Sequence, residues 1–225
     1  MKNNIWLDGF RSVARMGEIA VVAAKAGFKY ATEKPSNAKL MRETFESLGS
    51  TYIQLGQFIA STPSLFPREY VEEFQKCLDQ TPVLPFAYIE QVLQEEFAGR
   101  NIADIFQSIE QTPLASASIA QVHAAVLKTG ENVVIKVQKP NVETILYTDL
   151  GVVHLATKML EKAMPKIKFA SLSDIVDEIK TRMVREVDFI EEAQNLEDFT
   201  DYLNLTKNQY VIAPKVYHQC STRRV

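Results

Sequence analysis

Apolar and polar positions recur along this chain with two different periods, and the change falls near Pro113. Before it, apolar residues return every three or four positions, which predicts helices. The first runs from Val13 to Tyr30, and Pro35-Ser36-Asn37 breaks the pattern. Ala38–Leu48 reads as an amphipathic helix with Leu40, Phe45 and Leu48 on its apolar side. Gly49-Ser50 punctuates it, and Thr51–Ser61 continues as a further helix that Pro63 stops. Pro67 followed by Arg68-Glu69-Tyr70 starts another, reaching about Leu78. Pro82 and Pro85 stiffen a connector, and Phe86–Phe97 forms a helix closed by Gly99.

After Pro113 the period shortens. Gln121–Leu127 and Asn132–Val137 gather β-branched residues on either side of Lys128-Thr129-Gly130-Glu131, which predicts a β-hairpin. Val142–Met164 is helical up to Pro165. Ser171 then caps one long helix reaching about Tyr202, with Ile175, Ile179, Met183, Val187 and Ile190 as its apolar stripe. Val211–Tyr217 reads as a further strand interrupted by Pro214. The expected fold class is α+β, a helical N-terminal part followed by a small antiparallel sheet with a long helix. The expected divisions are 1–36, 37–112 and 113–225.

Composition narrows the function classes. The 225 residues are 46% hydrophobic and 24% charged, enough for one sizeable core or two small ones. A net charge of −3 offers no basic excess for nucleic acid. Cys77 and Cys220 imply no disulfide framework and fit a reducing, cytoplasmic setting. His218 lies near Cys220, but no second pair completes a zinc site. Met1–Phe10 lacks the apolar core of a secretory signal, and Ile19–Ala26, broken by Lys25, falls far short of the ~20 residues of a membrane span. The helix over Val13–Tyr30 carries Arg15, Lys25 and Lys29 among alanines and valines, a pattern open to packing on the rest of the chain or to peripheral membrane contact.

Three stretches bear on chemistry, each with a plain alternative. Val133-Val134-Ile135-Lys136 puts a lysine at the end of a β-branched run. It either points to water from an edge strand or holds phosphate beside a helix carboxylate, as in kinases. No G-x-G precedes the hairpin. In its place Ala115-Ser116-Ala117-Ser118 offers small residues, which serve either a tight packing turn or close backbone approach to a ligand. Glu186, Asp188, Glu191 and Glu192 crowd the long helix. Asp188 and Glu192 share a face there, and the run reads either as a solvated face or as the source of the carboxylate.

Together these stretches resemble one family. Val-Val-Ile-Lys136, the Ala-Ser stretch followed by Ile119-Ala120-Gln121-Val122-His123, and Glu186-x-Asp188 are similar to the UbiB/AarF family of atypical kinase-like proteins, called ADCK in animals and linked to ubiquinone synthesis. Gln54-Leu55-Gly56-Gln57 resembles that family's K-x-G-Q signature. Ser61–Pro67 and Leu78-Asp79-Gln80 also fit, so the resemblance spans about residues 40–220.

The resemblance implies a helical extension on a protein-kinase-like N-lobe that binds ATP, with magnesium. Lys136 would contact the α- and β-phosphates, Glu192 would be its ion-pair partner, and Ala115–Ser118 would cover the nucleotide. Glu186 and Asp188 would face the K-x-G-Q extension, and Gln57 would lie over the site. That implies ATPase work on small or lipid-linked molecules, in contact with lipid or with ubiquinone-precursor biosynthetic proteins, peripheral to the inner membrane.

Two departures qualify it. Gln54 stands where the family has a lysine that reaches into the nucleotide site, which removes an ion pair with Glu186. None of His123, His154 and His218 begins an H-R-D-like motif, and the one Asp-Gly is Asp8-Gly9, so the C-lobe and its metal-binding Asp-Phe-Gly are expected to be absent. The leading expectation is an ATP-binding portion without turnover of its own. The rivals are a non-catalytic docking module and a purely helical scaffold.

Overall fold

The computed structural model of the protein describes residues 5–77, 82–163 and 172–225. The expected motif residues Leu78-Asp79-Gln80, the stop at Pro165 and the cap at Ser171 lie outside these ranges. The chain forms two compact units, each assembled from two stretches: Met1–Thr81 with Glu143–Thr181, and Pro82–Val142 with Arg182–Val225.

The first unit is helical. It contains α1 (Ile5–Glu33), α2 (Asn37–Leu48), α3 (Ser50–Ser61), α4 (Arg68–Phe74) and most of α7 (Val142–Ala163). Ser36 caps α2 by accepting the Lys39 N–H. Gly49, at φ +91°, is the only residue between α2 and α3, a left-handed conformation that glycine adopts without penalty. Phe74 is 1% exposed and packs with Ile53, Ile59 and Cys77 under Phe45, whose ring centroid lies 5.2 Å from its own. Arg15 of α1 reaches α7 and grips Asp149 with two hydrogen bonds of 2.8 and 2.9 Å. The Arg15 Nη2 also donates to the Leu48 carbonyl. Asp149 is fully buried, and its carboxylate raises the guanidinium pKa above its ordinary value. The neighbouring Tyr52 hydroxyl is pushed up to about 12, by burial first and by the Asp149 charge second.

The second unit holds α5 (Phe86–Glu96), the short α6 (Ile102–Ile105) and a four-stranded antiparallel sheet. Its strands are β1 (Phe106–Ile109), β2 (Ala115–Ser116), β3 (Ala120–Leu127) and β4 (Asn132–Gln138). The expected hairpin is β3–β4, paired from Ala120↔Gln138 to Val126↔Asn132, with Gly130 at φ +98° in its loop. On the other edge of β3, β1 pairs near Leu127 and β2 near Val122. Period-2 alternation turns Ala125, Leu127, Ile135 and Val137 to one face, where Ile89, Val92 and Leu93 of α5 close the core. A helical part plus a small antiparallel sheet is the α+β arrangement of a kinase-like N-lobe.

Four expectations are corrected. The single long helix is two, α8 (Leu172–Glu186) and α9 (Phe189–Leu205), the first of which crosses from one unit to the other at Thr181–Arg182. In a continuous helix the Val187 carbonyl would accept from Glu191. Here it accepts the buried Gln138 side-chain amide at 3.0 Å, and the Phe189 N–H goes to the Arg223 carbonyl instead of Arg185. Asp188 therefore does not share a helical face with Glu192; it is extended and caps α9 by accepting the Ile190 N–H. Val211–Tyr217 forms no strand: Pro214 has no N–H to donate, and Tyr210 and Ile212 are 97% and 92% exposed. Ala115-Ser116, read as part of a loop, is strand β2. Among the described residues no helix is long and apolar enough to cross a membrane.

Candidate nucleotide site

The site is built on the sheet face opposite α5. Strand partners in antiparallel register carry their side chains on the same face. Ala115↔Val122 and Val122↔Lys136 therefore form one row across β2, β3 and β4, and Val134 stands two residues from Lys136 on that face. The sequence alternation that buries Ile135 and Val137 is what turns Lys136 the other way.

Lys136 Nζ lies 2.5 Å from Glu192 Oε2, in the first turn of α9. The ammonium also stands 4.7 Å from the centroid of the Phe189 ring, a cation–π contact. Side-chain exposures of 38% and 46% leave both charges open to solvent and to a ligand. Beside the pair opens a cavity of about 690 Å³, whose wall includes Val122, Val134, Phe189, Ala193, Tyr217 and Cys220. Burial raises the Cys220 thiol pKa above its ordinary value.

What holds Glu192 opposite Lys136 is the break before α9. Gln138, two residues beyond Lys136, donates its side-chain amide to Val187 and its backbone N–H to the Arg224 carbonyl. Asp188 caps α9 and pairs with Arg223 at 3.3 Å. Strand, helix start and the 223–224 segment are thus fastened within a few residues of the ion pair. Sequence reading named Asp188 for a different role and missed Phe189, Gln138 and Arg223. The polar Gln138 closing an apolar strand was the available signal.

The Ala-Ser stretch is also anchored. Ala117 N–H donates to the Ala120 carbonyl at 2.8 Å, closing the turn between β2 and β3, and Lys139 N–H donates to Ile119 at 2.8 Å. Ala115 and Ala117 are exposed, and Ser116 and Ser118 are half-buried. Behind the sheet, His123 is fully buried between the Glu110 carbonyl and the Gln121 amide, and Gln121 accepts the Leu84 N–H. Because a carbonyl can only accept, the His123 proton sits on Nδ1.

The remaining motif residues have separate places. Glu186 is the exposed last residue of α8, in the second unit. Gln54, Gly56 and Gln57 belong to the first unit, on α3, where Gly56 is buried and both glutamines are half-buried. Phe74 lies against Gly56, which gives that glycine a packing role. Among the described residues no group of three or more His, Cys, Asp or Glu side chains is arranged to hold a metal ion.

Residues 76–225, which contain Lys136, Glu192 and the Ala-Ser stretch, match the ABC1 atypical kinase-like domain. The chain belongs to the ABC1 atypical kinase-like family. Its AarF-type relatives span plants and animals. An uncharacterized chloroplastic aarF domain-containing protein kinase of Arabidopsis thaliana is 49% identical over 187 residues, 82% of this chain and 34% of that protein. AarF domain-containing protein kinase 1 of Xenopus laevis is 33% identical over 175 residues, 78% of this chain and 32% of that protein. A solved complex of a Mycobacterium tuberculosis protein with erythromycin aligns at a TM-score of 0.48 and 24% identity, over 92% of this chain and 49% of the other. The chain thus spans about a third of the length of these ABC1-family kinase relatives.

Proposed function

We propose that this chain carries the nucleotide-binding part of an AarF-type atypical kinase. The observation that carries the reading is the Lys136–Glu192 pair at the mouth of an apolar cavity. The residues fit the group. A half-exposed ammonium, held by one carboxylate and one aromatic face, has donors left for phosphate oxygens. Val122 and Val134 offer a flat apolar surface to a base, and Ala115 in the same row leaves room for phosphates. ATP bound there would supply a transferable phosphoryl group, with magnesium to neutralise its charge.

Neither an H-R-D-like nor an Asp-Phe-Gly segment occurs in the 225 residues, so nucleotide binding without turnover is the expected behaviour of the purified chain. The resemblance to UbiB extends the proposal to ubiquinone biosynthesis as the process served. Gln54 in place of the motif lysine is then a point at which nucleotide affinity or turnover would change, in either direction, in Gln54→Lys.

The test is Mg·ATP titration followed by thermal shift and by a fluorescent ATP analogue. Saturable binding that Lys136→Ala abolishes, with the melting temperature of the free chain unchanged, is the expected result. Binding that survives Lys136→Ala removes the reading.

A further inference from the structure

Lys139 is the buried charge that the site so far does not use. It is 8% exposed, immediately after β4, three residues beyond Lys136. Its ammonium donates to the Pro82 carbonyl at 3.2 Å, its one side-chain partner among the described residues, and burial lowers its pKa. A lysine kept inside on a single carbonyl costs stability, so a hydrophobic residue of similar length would be the better choice for folding alone.

The surroundings give Lys139 a task. Its backbone N–H donates to the carbonyl of Ile119, inside the turn that follows β2. Ser116, in β2 itself, directs its hydroxyl at the same Pro82 carbonyl, at 3.5 Å. Two residues along, Leu84 is held from both sides by the Gln121 side chain, whose Oε1 accepts its N–H and whose Nε2 donates to its carbonyl. The stretch 82–84, where the chain enters the second unit, is therefore tied to the Ala-Ser turn by Lys139 and, at longer range, by Ser116.

We infer that Lys139 is a positioning residue for the nucleotide, fixing the Ala115–Ile119 turn by joining it to Pro82, so that the state of the 82–84 stretch sets how well the turn covers phosphates. The inference rests on the nucleotide reading above. Lys139 touches no phosphate in it; Lys136 does. Lys139 holds the backbone whose N–H groups and small side chains allow close approach, and a turn ordered in advance binds more tightly than one that must order on binding.

The experiment compares Mg·ATP affinity in the parent chain and in Lys136→Ala, Lys139→Met, Lys139→Arg and Ser116→Ala, with amide hydrogen exchange over 115–120. The expected result is about fivefold or greater weakening in Lys139→Met, partial recovery in Lys139→Arg, which can still donate to Pro82, and faster exchange at Ala117–Ala120 in Lys139→Met alone. A smaller weakening in Ser116→Ala, which removes the long second tie, supports the same picture if the Met variant does not fold. Lys139→Met affinity within twofold of the parent, while Lys136→Ala abolishes binding, overturns the positioning role and leaves the nucleotide reading standing. Binding unaffected by Lys136→Ala overturns both.

Discussion

At the scale of single residues, the G of the K-x-G-Q-like motif shows how a motif position acquires a physical cause. A Cβ added at Gly56 would meet the Phe74 ring at 2.6 and 2.8 Å. The ring is 1% exposed and has no solvent to retreat into. Two effects oppose each other in Gly56→Ala. Helix propensity favours alanine by about 1 kcal/mol. Overpacking against an immobile ring costs about 1–3 kcal/mol. Strain is expected to win, and urea denaturation should show a net loss of about 1 kcal/mol. A variant as stable as the parent would mean that Phe74 yields easily. None of this contact was legible in the sequence, where Gly56 is an isolated glycine in an apolar helix and Phe74 lies in another element. Lys136 was legible, because strand alternation is local and a lysine ending a β-branched run stands out without knowledge of the fold.

Among elements, the hairpin and the helices before it could be read because each is specified by its own period and its own proline or glycine stops. The start of α9 could not. Apolar spacing runs through Val187 and Ile190 as though nothing happens there, and the break is imposed by Gln138 and Arg223, distant in sequence. The turn is then stabilised by the cap at Asp188. Asp188→Ala removes the cap and the partner of Arg223, and a loss of about 1 kcal/mol is expected, mostly from the cap. Asp188→Asn keeps an acceptor for the Ile190 N–H and should lose less. Because Glu192 sits one turn further along α9, exchange of the α9 amides should rise in the alanine variant; equal protection in both variants would show that Gln138 and Arg223 hold the helix start unaided.

For the molecule as a whole, neither unit is a continuous piece of chain. The polypeptide changes unit at Thr81–Pro82, Val142–Glu143 and Thr181–Arg182. The first unit contains a part-buried ion pair between residues 134 positions apart, which leaves no periodic trace in the sequence. With Asp149 fully buried, Asp149→Ala removes the buried partner of Arg15 and leaves the guanidinium with Glu18 and the Leu48 carbonyl, and a loss of about 3 kcal/mol is expected, the low end for breaking a buried pair. Replacing both members, Arg15→Met with Asp149→Leu, should recover most of it, as a double-mutant cycle by chemical denaturation will show. A double variant as unstable as the single one would place the cost in packing around α7 rather than in the lost ion pair.

That pairing also sets an order of events during synthesis. Residue 15 leaves the ribosome long before residue 149 exists, and the whole β3–β4 hairpin is translated between them. The nascent chain carries helices α1 to α4 with Arg15 still hydrated while the sheet of the other unit is being made. Completion of the earlier-made unit thus waits on a later-made helix, and a ribosome that stalls between Gln138 and Asp149 holds a chain whose N-terminal helices lack their closing charge.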